Sequence, residues 1–159
     1  MISDRGVERL IVAVRGQRVI LDADLARLYG VETKALNRAV KRNAERFPAD
    51  FMFQVTSEEL GDVRYQYGTS NRELRNWSQI ATTGGKRGGR RYRPYAFTEH
   101  GALQAANILR STRAVQMSVF VIRAFVKMRE QLMANAAIHK RLAEIDQTRL
   151  LHDSALRDL

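Results

Sequence analysis

The segment Asp22–Asn43, DADLARLYGVETKALNRAVKRN, constrains this chain more than any other. It holds two short runs of helical periodicity, separated at Gly30. In the first run Leu25 and Leu28 face inward, and Asp22 is the expected N-cap. Gly30 can adopt the left-handed conformation that stops a helix without a Cβ penalty. The second run, about 32–43, puts Ala35, Leu36, Ala39 and Val40 on the expected buried side and Thr33, Lys34, Asn37, Arg38, Lys41 and Arg42 on the outer one. Ala26 is small enough for a close helix crossing. This is the pattern of a helix-turn-helix, in which the first helix crosses a DNA backbone and the second enters the major groove. Thr33, Lys34, Asn37 and Arg38 lie near the start of that helix and are expected to reach base edges, whereas Lys41 and Arg42 are better placed for phosphate. An ordinary helical hairpin with a solvated basic face has the same pattern, so other parts of the chain must decide.

Charge is the first of these. The formal net charge is +10 over 159 residues, a balance that favours a polyanionic partner. Residues 134–159 carry four basic and four acidic groups, so the whole excess sits in 1–133, with 23 against 13. A polyanion-binding face therefore belongs to the body of the chain. Cysteine is absent, which removes disulfides, thiolate nucleophiles and thiolate zinc sites. The N-terminus lacks the apolar run of a signal peptide, and no apolar stretch approaches the ~20 residues that span a bilayer. The expected compartment is the cytoplasm, at the nucleoid, with no membrane partner.

The flanking segments suggest a small sheet. Residues 10–14 and 18–21 read as a β-hairpin turning at Gly16, and 51–55 as a further strand. Phe47-Pro48 is expected to end the second helix, because the residue before proline resists helical geometry. Thr56-Ser-Glu-Glu59 opens a short helix. Residues 61–89 show the least order by pattern. A strand is expected over 92–97, and Pro94 argues for an edge position. Thr98 caps a helix to about Leu109, and Ser111 caps another over about 112–132. The latter carries two apolar stripes, one through Met117, Val121, Phe125, Met128 and Leu132 and one through Val115, Val119, Ile122 and Val126. Such a helix must be buried on most sides or contact another chain. Ile138, Leu142, Ile145, Leu156 and Leu159 then fit a heptad register with Arg149 and His152 between them, a weak coiled coil on its own. The pattern is still running at Leu159, which leaves open whether the natural chain continues.

A second candidate contact is GGKRGGRRYR, residues 84–93. Its glycines let the backbone approach a phosphate chain, and Lys86, Arg87, Arg90, Arg91 and Arg93 neutralise it. Beside a helix-turn-helix this loop can serve as a wing on the backbone or in the minor groove. It is not a nucleotide-binding P-loop, since no Gly-Lys-Ser/Thr closes it. Catalysis has little support. His100, His139 and His152 are scattered, and Glu99 beside His100 is better explained by capping, so no catalytic residue, cofactor or metal is expected.

With these residues assembled, the chain resembles the ORF6N (ORF six N-terminal) domain, a relative of the KilA N-terminal domain found in phage and prophage antirepressor-type proteins. The resemblance rests on an ordered series of blocks: IVAVRGQRVILDADLARLYGVETKALN at 11–37, VKRN at 40–43, RFPADFMFQ at 46–54, GRRYRPYAFTEHG at 89–101, RSTRA at 110–114 and IRAFVKMRE at 122–130. It implies a DNA-binding module with a regulatory role in mobile-element gene control.

The expected architecture is α+β: a small antiparallel β element packed on a helix-turn-helix and followed by long C-terminal helices. Residues 7–131 form the DNA-binding domain and 132–159 a helical tail. The expected partner is double-stranded DNA, bound by a homodimer joined through 112–159. One rival reading is an antirepressor that captures a repressor protein through its helical face. Another is non-specific binding of RNA or single strands, with Tyr65, Tyr67, Trp77, Tyr92 and Tyr95 as stacking aromatics.

Overall fold

A computed structural model describes residues 4–67 and 93–158 of the chain. Its elements are α1 (Asp4–Glu8), β1 (Val12–Val14), β2 (Gln17–Leu21), α2 (Asp22–Tyr29), α3 (Thr33–Arg42), a 3₁₀ turn (Ala44–Arg46), β3 (Met52–Gln54), α4 (Ser57–Tyr67), β4 (Tyr95–Phe97), α5 (Glu99–Leu109) and α6 (Thr112–Arg157). The architecture is α+β, with a small antiparallel four-stranded sheet among helices. The chain divides into two compact units, Met1–Phe125 and Val126–Leu159.

The hairpin is set by its turn. Arg15 and Gly16 both have positive φ, 53° and 72°, the requirement of the two-residue turn whose twist matches paired strands. Val14 then pairs with Gln17 and Val12 with Val19. Arg15 is held in this uncommon conformation by its own side chain. The guanidinium lies 4.4 Å from the centre of the Phe53 ring and donates twice to Glu59, at 2.8 and 2.9 Å. The free edge of β1 is covered by the Gln66 amide, which accepts from Ala13 N at 2.8 Å and donates to Ala13 O at 2.7 Å. A side chain thus occupies an edge that can otherwise recruit another strand.

The strand order is β1-β2-β4-β3, so β4 is interior and not the edge strand that Pro94 suggested. The proline stands one residue before the paired stretch, where no ladder donor is needed, and its carbonyl accepts from Val55 N at 2.9 Å. Helices cover both faces of the sheet. Val12, Val14, Val19, Leu21 and Ala96 close on Leu60 and Val63 of α4. Alternation sends Ile20 and Phe97 to the opposite face, towards α2 and α5, where the Phe47 ring meets Phe97 edge-on at 6.2 Å.

Helix ends follow local chemistry. α4 starts with a reciprocal cap: Thr56 Oγ1 accepts from Glu59 N, and a Glu59 carboxylate oxygen accepts from Thr56 N. It runs to Tyr67 and so extends into the segment read as irregular from residue 61. α5 starts at Thr98, whose hydroxyl accepts from Gly101 N. A Cβ on Gly101 would collide with the Phe51 carbonyl, so this glycine is what lets α5 sit on the approach to β3. α6 is capped by the Ser111 hydroxyl, which accepts from Ala114 N at 3.0 Å. It runs for 46 residues, past the end at about 132 that its pattern suggested. Val121 and Phe125 on its first apolar stripe are buried, while Val115, Val119 and Val126 on the second are exposed.

Candidate nucleic-acid interface

The candidate site is α3 and the elements that fix it. α2 ends in a Schellman motif: Gly30 adopts φ +70°, Gly30 N donates to Arg27 O, and Val31 N donates to Ala26 O. The turn is also gripped from α6. Arg113 donates to the Leu28 carbonyl at 3.3 Å and to the Arg27 carbonyl at 3.5 Å, and its stem lies where a Gly30 Cβ would project. Leu25, Ala26, Leu28 and Tyr29 of α2 are buried, and the Tyr29 hydroxyl donates to Ala102 O at 2.7 Å. Burial raises the phenol pKa, so the hydroxyl keeps its proton.

Asp22 has a different role from the one its position suggested. The residue ahead of α2 is Leu21, and Asp22 is the first residue inside the helix. Its carboxylate is fully buried. One oxygen accepts from Ala23 N at 2.8 Å, and the other accepts from Asn37 Nδ2 at 3.0 Å and from Tyr95 N at 3.3 Å. One side chain therefore ties together the start of α2, the middle of α3 and the start of β4. Asn37, nominated as a base reader, carries an internal contact through the amide nitrogen that base reading would use.

α3 buries Leu36 and Val40. Ala39 is half-buried and Ala35 is exposed, so the inward side is narrower than the four apolar residues suggested. Lys34, Arg38 and Lys41, spaced i, i+4 and i+7, form an exposed stripe opposite Leu36 and Val40, with Arg42 beside it. Thr33 opens the helix, half-buried. No acidic residue lies within Thr33–Arg42. The helix stops at Asn43, whose side-chain amide donates to Ala39 O at 2.9 Å, four residues before Phe47-Pro48. Beyond Asn43 the 3₁₀ turn begins at once, and Phe47 is drawn into the core instead of extending the helix. A cavity of about 110 Å³ lies beside the stripe, with Val40, Lys41, Phe47, Met52 and Tyr95 on its wall.

Of the second candidate contact, Arg93 is exposed, and its carbonyl accepts from Gln54 Nε2 at 3.2 Å. Lys86, Arg87, Arg90 and Arg91 lie outside the described residues, as do Trp77 and Tyr92. His100 is exposed with its ring 5.4 Å from Phe51, and His139 and His152 are on the second unit. Among the described residues no group of three or more His, Asp or Glu side chains is arranged to hold a metal ion, and no helix is long and apolar enough to cross a membrane.

Compared with protein-family models, residues 9–108 match the family described as the ORF6N domain. No curated protein and no solved structure matches the chain.

Proposed function

This chain belongs to the ORF6N domain family, and from that premise we propose that it binds double-stranded DNA sequence-selectively as a regulator of the phage or prophage type, with α3 in the major groove. The observation that carries the reading is the Lys34–Arg38–Lys41 stripe, exposed on an acid-free helix whose opposite face is anchored by Leu36 and Val40 and whose flank is tied down by the Asp22–Asn37 bond. A helix held this firmly presents its charges in one orientation, as base reading needs. Lys34 and Arg38, with Thr33 at the first turn, take the base edges, and Arg38 can do so bidentately to guanine. Lys41 and Arg42 take phosphate. Asn37 positions the helix. The basic residues Lys86, Arg87, Arg90, Arg91 and Arg93 supply a second, backbone or minor-groove contact. The protein acts by binding and not by catalysis, in the cytoplasm at the nucleoid.

The test is selection of bound fragments from a random duplex library at physiological salt, followed by competition with single strands and RNA. An enriched motif that duplex alone competes for supports the reading. Salt-sensitive binding without a motif makes the protein a non-specific polyanion binder. A second reading, capture of a repressor protein, draws on the exposed Val115 and Val119 of α6. It predicts no duplex binding and no effect of neutralising the α3 stripe.

A further inference from the structure

We propose that residues 135–156 of α6 pair with the same segment of a second copy of this chain as a parallel, in-register, two-stranded coiled coil. This surface lies in the second unit, and its pairing does not depend on DNA binding.

The segment is helical throughout, and Ile138, Leu142, Ile145 and Leu156 are between 53% and 70% exposed. Their spacing alternates four and three residues from Ile138 to Ile145, which fixes the heptad. Asn135, Leu142, Arg149 and Leu156 fall at a, and Ile138, Ile145 and His152 at d. Four large aliphatic side chains on one seam of a solvated helix have no partner within this unit, so burial against a matching seam is the favourable outcome.

The polar residues choose the partner and its direction. With this heptad Arg141 is at g and Asp146 at e. Residues five apart on one helix do not meet, so the two cannot pair within a chain. Parallel, in-register pairing brings each g residue beside the e residue of the following heptad on the other chain. Arg141 then faces Asp146 of the second copy, and two-fold symmetry makes the contact twice. Antiparallel pairing instead sets e against e and g against g, so Arg141, whose fellow g residues are Thr148 and Ala155, meets no acid across the seam. Asn135 at a can bond its own counterpart across the seam, a device that specifies both register and two strands. Leu142 at a with Ile138 and Ile145 at d would by themselves favour more than two strands. Arg149 decides against that. Its long stem can carry the guanidinium out of a two-stranded seam, towards Asp153 one turn on, whereas a four-stranded core would enclose four of them.

The full chain in sedimentation equilibrium at tens of micromolar is expected at twice its mass of 18.2 kDa. Ile145→Asp places two carboxylates in the seam and is expected to weaken the dimer about a hundredfold. Asp146→Arg is expected to weaken it about tenfold, and Arg141→Asp added to Asp146→Arg to restore it to within about threefold of the original. All three positions are exposed, and circular dichroism checks that each variant keeps its helices. A monomer or a tetramer overturns the proposal, as does a dimer indifferent to Ile145→Asp. Failure of the charge swap to rescue Asp146→Arg overturns the parallel register.

Discussion

Asp22 and Asn37 stand fifteen residues apart on consecutive helices and are joined by a 3.0 Å hydrogen bond, from the Asn37 amide to a carboxylate that solvent does not reach. The same oxygen accepts the backbone amide of Tyr95, so the orientation of α3 is tied to an interior strand of the sheet as well as to α2. The outward stripe depends on this inward anchor.

Removing the anchor should therefore be costly well away from any contact with DNA. Asp22→Ala leaves the Asn37 amide and the Tyr95 N–H without their acceptor and is expected to lower stability by about 2 kcal/mol. Asp22→Asn keeps one acceptor oxygen and should cost less. Urea unfolding of both variants measures this. If Asp22→Ala unfolds at the midpoint of the original chain, the bond is not an anchor.

The turn between the helices offers a second test, because two demands meet at Gly30. Its φ of +70° disfavours any side chain by about 1–2 kcal/mol, and a Cβ there also displaces Arg113 from the carbonyls of Arg27 and Leu28. Gly30→Ala is expected to destabilise by more than the backbone cost alone. In the Arg113→Ala background the same change should cost less, since no guanidinium is left to displace. A thermal-denaturation cycle over the four proteins reads the coupling directly, and strict additivity would contradict the shared site.

How far this arrangement was legible in the sequence depends on the range of each interaction. Gly30, Thr98, Ser111 and the reciprocal cap of Thr56 and Glu59 act within one turn of the chain, and local pattern placed them correctly. Asp22 looked like a cap because an acid beside a helix start usually is one, but its partner at Tyr95 lies 73 residues away. The same distance hid the place of β4. Pro94 spoke only for its own missing donor and said nothing of the strands on either side of Tyr95–Phe97. The segment from residue 61 showed little order by pattern, yet α4 continues through it to Tyr67, with Gly61 on the exposed side of the helix. The charge of the α3 stripe was legible throughout. The engagement of Asn37 was not, because an asparagine on a basic helix looks the same in sequence whichever way its amide turns.

The Arg15–Glu59 pair gives the fold a defined acid response. The two hydrogen bonds from Arg15, helped by Thr56, outweigh desolvation and hold the Glu59 carboxyl at about 2, below its ordinary 4.5. The folded state binds this proton less readily than the unfolded state. The contribution is therefore fully present above about pH 4.5 and is lost as pH falls towards 2. Arg15→Gln should return the Glu59 titration, followed by NMR of its carboxyl carbon, towards the ordinary glutamate range and raise the pH at which the protein unfolds in acid. An unchanged Glu59 titration would remove Arg15 as the cause.

The proposed reading makes its sharpest demand on the α3 stripe, because it assigns the members different roles. Lys34 and Arg38 lie nearer the start of the helix, the end that meets base edges, whereas Lys41 and Arg42 are in its last turn. Arg38→Ala is expected to cost about 1–3 kcal/mol on the selected sequence and little on random duplex, which relaxes specificity. Lys41→Ala should weaken binding to both alike and reduce the magnitude of the slope of log affinity against log salt by about one. Asn37→Ala, which removes the bond from α3 to the Asp22 carboxylate, should lower affinity for every sequence in proportion to the loosening of α3 and leave the preferred motif unchanged. Titrations of the three variants against selected and random duplexes at several salt concentrations separate these outcomes. If Asn37→Ala changes the motif while Arg38→Ala does not, the roles of the two residues are reversed, and the Asp22–Asn37 bond must open when DNA binds.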